Sequence, residues 1–325
     1  MVVSLSVGVE VIGDGIADLP GGSVGAAAPP ARVVADLARR LESAGVSYWV
    51  IGAERGEDPD ITTVSIDPSL IAATAARHST TLGLVVAAAG HRDHPYNLAR
   101  RLVSVDHAAH GRVGWLALDS DQGIALNAAT DSWTGAELDA THTADAVHAV
   151  RTLWRTWPLS AVVGDRDKGV FADVTQIRRA DVRRGYTISG PLNVPGSRQG
   201  DLPIWRQVPP GGVVAGADLA VVEDRDPIPR DVLGVVRLRT VDTIDADLDR
   251  IARSGKAVGA ILRLSTEALG PVLDRILPAA RGRGVLGEFT GATLRDRLGL
   301  PVPASPDLSD HPVVFDAVST PGGRL

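Results

Sequence analysis

A group of side chains able to do chemistry follows a predicted apolar strand at residues 82–89. His91, Asp93 and His94 form the densest cluster of ionisable groups beside any predicted strand end. They could bind a metal ion, supply a general acid or base, contact a ligand, or simply form a turn or helix cap. The spacing crosses a turn and no further ligand lies nearby, so we expect no metal. His94 is the strongest candidate because it begins the next helix.

A second group of candidates follows other predicted strands. Asp119, Ser120 and Asp121 end the apolar run 113–118 and could contact a ligand, or begin the next segment as an Asx turn. Glu10 and Glu54 also fall at predicted strand ends. Each of these two glutamates could either contact a ligand or form a salt bridge at the rim of the sheet.

The chain lacks the motifs of several other chemistries. Its 325 residues include no cysteine, which excludes disulfides, thiolate nucleophiles and iron–sulfur clusters. Residues 20–25 are glycine-rich without GxGxxG spacing, and no GK(S/T) phosphate loop, serine nucleophile elbow or HExxH motif is present. A formal charge of −6 argues against nucleic-acid or anionic-membrane binding. The N-terminal residues resemble neither a signal peptide nor a membrane span, so we expect a cytoplasmic protein.

The elements that must position these side chains alternate between apolar strands and amphipathic helices. Strands are predicted over residues 3–9, 47–52, 82–89 and 113–118, with helices over 30–44, 67–77 and 94–109 between them. Continuous apolar strands separated by helices are typical of a parallel sheet, either a closed barrel or an open doubly wound sheet. Since only 4% of residues are aromatic, the core is expected to consist mainly of Ala, Val and Leu.

Residues 119–201 interrupt the alternation. A helix is predicted over 143–154, and the remainder is rich in charge, Gly and Pro, which indicates a long insertion. Strands resume at 202–208, 218–222, 232–238 and 257–264, with helices at 243–254 and 266–281. Only residues 223–230 separate two of these strands, so one βα unit is expected to be shortened. Residues 301–325 are expected to form an irregular arm.

The corner between the third helix and the fourth strand carries further ionisable groups. His107 and His110 lie one turn apart at the helix end, where imidazoles complement the helix dipole, so we expect structural roles for them. Asp106 is expected to pair with the backbone or with Arg112.

Four segments of the chain resemble one protein family. They are residues 94–115 (HPYNLARRLVSVDHAAHGRVGW), 190–195 (GPLNVP), 199–200 (QG) and 291–300 (GATLRDRLGL). Each resembles a segment of the bacterial-luciferase-like flavin monooxygenases, in the nitrilotriacetate, dibenzothiophene-sulfone and alkane monooxygenase branch. The resemblance implies a single TIM-type (β/α)8 barrel domain over residues 1–325, with the insertion at 119–201 following the fourth strand.

The same resemblance implies a monooxygenase that takes reduced FMN from a separate reductase and oxidises a small organic substrate with O2. His94 and His91 are then the candidate catalytic residues. Reactive side chains of such barrels lie at the carboxyl ends of strands and in the loops that follow. The residues implied to bind the flavin are Glu54, Trp115, Asp119, Ser120, Gln207, Gly211 and Gly212. A homo-oligomer is also implied.

Several positions differ from the family's pattern. Ala53 stands where an aspartate is usual, Leu116 where asparagine is usual, and Asp139-Ala140 replaces an Arg-Tyr pair. Each polar atom left unpaired on a buried ligand would cost about 1–3 kcal/mol. The alternative hypothesis is a barrel that binds no flavin, and that binds another small molecule or is the non-catalytic partner of an active paralogue. A deazaflavin enzyme of the same superfamily would need a compact basic pocket, which the sequence does not show.

Overall fold

The chain folds as a closed barrel of parallel strands in a computed structural model. The structure describes residues 4–12, 30–56, 66–121, 130–212, 214, 216–303, 308 and 310–314. The strands within these residues are β1 (Ser6–Ile12), β2 (Tyr48–Ile51), β3 (Gly83–Ala88), β4 (Val113–Ala117), β5 (Val162–Asp165), β6 (Val170–Ala172), β7 (Ile204–Gln207), β8 (Leu219–Glu223), β9 (Leu233–Leu238) and β10 (Ala257–Ser265). Strands β5 and β6 pair as an antiparallel hairpin. The others close the barrel in the order β1-β10-β9-β8-β7-β4-β3-β2, which confirms the predicted TIM-type fold.

Helices follow most barrel strands and cover the outer surface of the sheet. They are α1 (Pro30–Ser43), α2 (Pro68–His78), α3 (Pro95–Ala108), α4 (Ala140–Trp154), α5 (Ile244–Ser254), α6 (Thr266–Pro271), α7 (Leu277–Gly282) and α8 (Leu294–Arg297). A π-helical turn, Val272–Ile276, connects α6 to α7. Helix starts follow local capping chemistry: the Asp67 carboxylate accepts the Ser69 N–H, and Pro68 occupies the first turn.

The connection between β8 and β9 contains turns and no helix, as the short spacing predicts. Prolines at 227 and 229 interrupt any helical run there. Ile228 takes the place of the missing helix by packing on Gly234, where a Cβ atom would lie 2.4 Å from Ile228 Cγ2. The segment 208–218 between β7 and β8 also has no helix among its described residues. The barrel therefore departs from eight regular βα repeats at two neighbouring units.

The barrel interior is filled by two large aromatic side chains as well as aliphatic ones. Tyr48 on β2 and Trp205 on β7 are fully buried, with ring centroids 5.4 Å apart. Glycines on neighbouring strands make room for them: a Cβ on Gly8 would lie 2.2 Å from Tyr48, and one on Gly114 would lie 2.3 Å from Trp205. Although aromatic residues are few in this sequence, two large aromatic side chains therefore lie together at the barrel axis.

The two ends of the barrel differ in character. Leu294 of α8 closes the amino-terminal end, where it lies against Gly83 at the start of β3. The carboxyl ends of the strands point the other way, toward the loops that carry the predicted site residues. No helix in the described part of the chain is long and apolar enough to cross a membrane.

Candidate functional site

Charged side chains occupy barrel-facing positions at the carboxyl ends of β1, β9 and β10. Glu10 and Arg237 are fully buried, and Glu10 contacts both Arg237 Nε at 3.3 Å and Arg263 Nη1 at 3.2 Å. Arg237 also reaches Glu223 and Gln207, each at 3.3 Å. Because an isolated buried charge is strongly disfavoured, these groups form one neutralised network. The salt-bridge alternative for Glu10 is therefore the one observed.

The loops after β2 and β4 are joined by an ion pair. Arg55 Nη2 lies 3.0 Å from Asp121 Oδ2, and both side chains are largely buried. In the chain, Arg55 directly follows Glu54 and Asp121 directly follows Ser120. Glu54 and Ser120 are both half-buried. Two of the implied flavin-binding residues are thus carried by loops that are fixed to each other.

A buried arginine on the outer face of β7 contacts the start of α4. Arg206 is 2% exposed, and its guanidinium donates to the Ala140 carbonyl at 3.1 Å and to Asp119 Oδ1 at 2.6 Å. Its Nε is buried without a hydrogen-bond partner among the described residues. Gly211 and Gly212 follow the same strand in an exposed turn, closed by a 2.8 Å bond from Gly212 N–H to the Pro209 carbonyl.

His94 caps helix α3 and is neutral. Its Nδ1 accepts the Tyr96 backbone N–H at 3.4 Å, so the proton of the neutral ring lies on Nε2. Burial lowers the pKa of His94, against the opposing charge of Asp131. Burial likewise lowers the pKa of His91, although Asp121 and Asp131 act to raise it. Both candidate histidines are therefore uncharged at neutral pH, and His94 offers an N–H donor.

The structure does not combine Asp93 with the two histidines. Asp93 forms an ion pair with Arg101 of α3. No group of three or more His, Cys, Asp or Glu side chains suited to a metal ion occurs in the described ranges.

A hydrogen-bonded triad lies behind His94 and is absent from the sequence-based prediction. Asp131 Oδ2 lies 2.6 Å from His142 Nε2 and accepts the Tyr186 hydroxyl at 2.7 Å, while that hydroxyl lies 2.8 Å from His142 Nε2. Burial and the Asp131 charge raise the pKa of Tyr186. Burial acts to raise the pKa of Asp131, but its hydrogen bonds lower it overall. Within the triad, Asp131 is thus an ionised carboxylate and Tyr186 a neutral phenol.

The triad also contacts the predicted site. The ring of Tyr186 packs edge-to-face on His94, with centroids 6.1 Å apart, and the ring of Trp133 does so at 5.3 Å. The Tyr186 hydroxyl lies 3.5 Å from the Cβ position of Gly90, at the end of β3. The sequence places Asp131, His142 and Tyr186 far apart without a recognisable motif, so no spacing could have identified them.

One expectation needs correction. Trp115 was implied to bind flavin, but it lies on the outer face of β4, fully buried among helix side chains, and its indole N–H donates to the Ala88 carbonyl at 3.0 Å. Alternation along a strand places it on the side opposite Leu116. The expectation for Asp106 is confirmed, because its carboxylate accepts the Val113 backbone N–H, and it also accepts the side chains of Ser197 and Gln199 in the insertion.

Comparison with known proteins identifies the family. The family model for luciferase-like monooxygenases matches residues 16–207, more than half of the chain. The chain belongs to the luciferase-like monooxygenase family, whose members are typically flavin-dependent.

Individual relatives agree with this assignment. The chain is 29% identical to one of the subunits of pristinamycin IIA synthase of Streptomyces pristinaespiralis, over 82% of its own length and 88% of that protein. It is 32% identical to dibenzothiophene-sulfone monooxygenase of Rhodococcus erythropolis over 42% of its length, but only 31% of that relative is covered. The structure of a long-chain alkane monooxygenase superposes with a TM-score of 0.68 at 14% identity, covering 92% of this chain and 96% of the other.

Proposed function

We propose that the chain is the oxygenase component of a two-component flavin monooxygenase, which takes reduced FMN from a separate reductase and oxidises a small organic substrate with O2. The observation that carries this proposal is neutral His94 at the carboxyl end of β3, in a barrel of this family. When bound, reduced flavin supplies the electrons for the reaction with O2. His94 supplies a fixed Nε2–H donor, and the joined loops of Arg55 and Asp121 limit the access of water.

The phosphate end of FMN is the part that this chain is best equipped to hold. Arg206 has one unused buried N–H, and the exposed Gly211–Gly212 turn follows the same strand. Asp119 is 43% exposed, so it can turn into solvent and leave the guanidinium to a phosphate. Gln207, Glu54 and Ser120 remain proposed contacts of the ring and ribityl chain.

The test is a pair of anaerobic titrations of reduced FMN and reduced riboflavin, which differ only in the phosphate. In Arg206→Met, we expect the FMN affinity to fall about 10- to 100-fold, since a hydrogen bond to a charged group contributes about 1.5–3 kcal/mol. Riboflavin affinity should stay unchanged. Arg100→Met, at an exposed position on α3, is the control. Equal losses for both ligands would refute the phosphate assignment, and absence of saturable FMN binding up to millimolar concentration would refute flavin binding.

A second candidate function is the flavin-free partner of an active paralogue. Barrel-facing positions at the ends of β3 and β4 carry Ala87, Ala89, Leu116 and Leu118, none of which can pair with the polar edge of a flavin. The relative aligned over most of the chain is itself one component of a multi-subunit synthase. This hypothesis predicts no flavin binding by the chain alone. It also predicts a stable complex, by analytical ultracentrifugation, with a luciferase-like paralogue from the same organism.

A further inference from the structure

The buried carboxylate of Asp131 contacts both aromatic residues that pack on His94, and the proposed function does not use it. Oδ1 accepts the Trp133 backbone N–H at 2.6 Å, and Oδ2 accepts the Tyr186 hydroxyl at 2.7 Å. The Trp133 and Tyr186 rings meet the imidazole at interplanar angles of 80° and 85°. One side chain therefore bonds the backbone of one ring neighbour of His94 and the hydroxyl of the other.

The residues joined by this carboxylate come from three separate segments. Asp131 and Trp133 lie in a turn closed by hydrogen bonds from Asp131 N–H to the Ala136 carbonyl at 2.8 Å and from Gly135 N–H to the Asp131 carbonyl at 2.7 Å. His142 belongs to the first turn of α4, and Tyr186 to the segment that follows strand β6. Asp131 is thus the point at which this turn, helix α4 and the segment of Tyr186 meet beside the end of β3.

The imidazole has few remaining ways to orient itself. Its Nδ1 accepts the Tyr96 backbone N–H, which fixes the tautomer. The rings of Trp133 and Tyr186 restrict rotation about the His94 Cα–Cβ bond. The remaining polar atom, Nε2, carries the proton. Orientation of this donor matters because a misplaced contact at a reaction centre costs far more than its own hydrogen bond.

We propose that Asp131 is a positioning residue that acts through Trp133 and Tyr186 to hold the His94 imidazole with its Nε2–H directed at the ligand. The proposal rests on the proposed function only in taking His94 as the ligand contact. The carboxylate next to His94 in the chain, that of Asp93, is already paired with Arg101.

The experiment uses aromatic NMR spectra of the full chain without flavin, and measures nuclear Overhauser effects between the His94 ring and residues 133 and 186. In Tyr186→Phe, we expect the 186 contact to weaken by more than half while the Trp133 contact persists. In Asp131→Ala, both should weaken. Tyr96→Phe is the matched control, because its hydroxyl bonds the Pro191 carbonyl at 3.2 Å and not Asp131.

The same spectra give a readout that loosened packing alone would move in the opposite direction, because burial lowers the pKa of His94. Removing the Asp131 charge should lower the pKa of His94, because that charge acts to raise it, whereas Tyr186→Phe keeps the charge and should shift the pKa less. Unchanged contacts and pKa in a folded Asp131→Ala would overturn the proposal. If that variant does not fold, an unchanged 186 contact in Tyr186→Phe overturns it. Flavin titrations are separate measurements, so failure of the proposed function remains distinguishable from failure of this inference.

Discussion

Replacing Arg112 by methionine should destabilise the barrel more than any conservative change on its surface. The side chain is 3% exposed, and its guanidinium donates to the carbonyls of Ala76, Leu82 and Ala109 and to both oxygens of Ser79, at 2.6–3.2 Å. These acceptors lie at the carboxyl-terminal ends of α2 and α3 and at the start of β3. One arginine thus satisfies helix-end carbonyls that have no intrahelical partner.

The magnitude follows from these contacts. Methionine preserves most of the packed volume and leaves four buried carbonyls without that donor, each worth about 1 kcal/mol or more. Part of this loss is offset because the guanidinium no longer has to be desolvated. We expect the free energy of unfolding to fall by about 3–5 kcal/mol, a large share of the roughly 5–15 kcal/mol that holds a domain together. Lysine, with three donors in place of five, should recover part of the loss.

The assay is urea denaturation at pH 7, followed by tryptophan fluorescence and circular dichroism, with the midpoint and slope compared across variants. Arg100→Met is again the control, since an exposed position on α3 should change stability by less than about 0.5 kcal/mol. A value for Arg112→Met within about 1 kcal/mol of the unmutated chain would show that the carbonyls find other donors, and would refute the reasoning.

Two further predictions concern packing and pH. Gly8→Ala should lower the free energy of unfolding by about 1–3 kcal/mol, because its Cβ would overlap Tyr48. The control is Gly282→Ala, whose Cβ meets nothing within 4 Å and should leave stability unchanged. Thermal melts compare the two variants. For Glu42, burial acts to raise the pKa, but hydrogen bonds from Thr81, Thr80 and Leu82 lower it overall. Its stabilisation is therefore present above the unfolded pKa of about 4.3 and is lost as pH falls through the folded value. Since the group is only half-buried, Glu42→Gln should cost under about 1 kcal/mol at neutral pH and nothing measurable near pH 2; equal effects at both pH values would contradict this.

The sequence by itself determined the order of strands and helices, whereas the closed barrel was implied by the family resemblance and not by periodicity. Hydrophobic periodicity and turn residues depend on local chain geometry, so helix α3 was predicted over 94–109 and is observed at Pro95–Ala108. Strand β9 was predicted over 232–238 and is observed at Leu233–Leu238. The absence of a helix after β8 was predicted from the short spacing, because residues 223–230, which include two prolines, are too few to form a covering helix and its turns.

The local sequence pattern could not predict which face of the sheet each side chain occupies. Trp115 and Leu116 are equally apolar neighbours, and only closure of the sheet decides which faces the barrel and which faces the helices. Likewise, the position of Glu10 at a strand end is compatible with a ligand contact. Only the folded barrel shows that Glu10 pairs with Arg237 and Arg263, which lie on strands more than 200 residues further along the chain.

The groups around His94 were decided by tertiary structure alone. His94 itself could be found in the sequence, since a helix cap after a strand is a local feature. Asp131, His142 and Tyr186 are separated by up to 55 residues. They lie on a turn, on helix α4 and on the segment after β6, whose relative placement depends on packing against the barrel. Hydrogen bonds between such distant groups leave no periodic trace in the sequence, because nothing local requires their spacing.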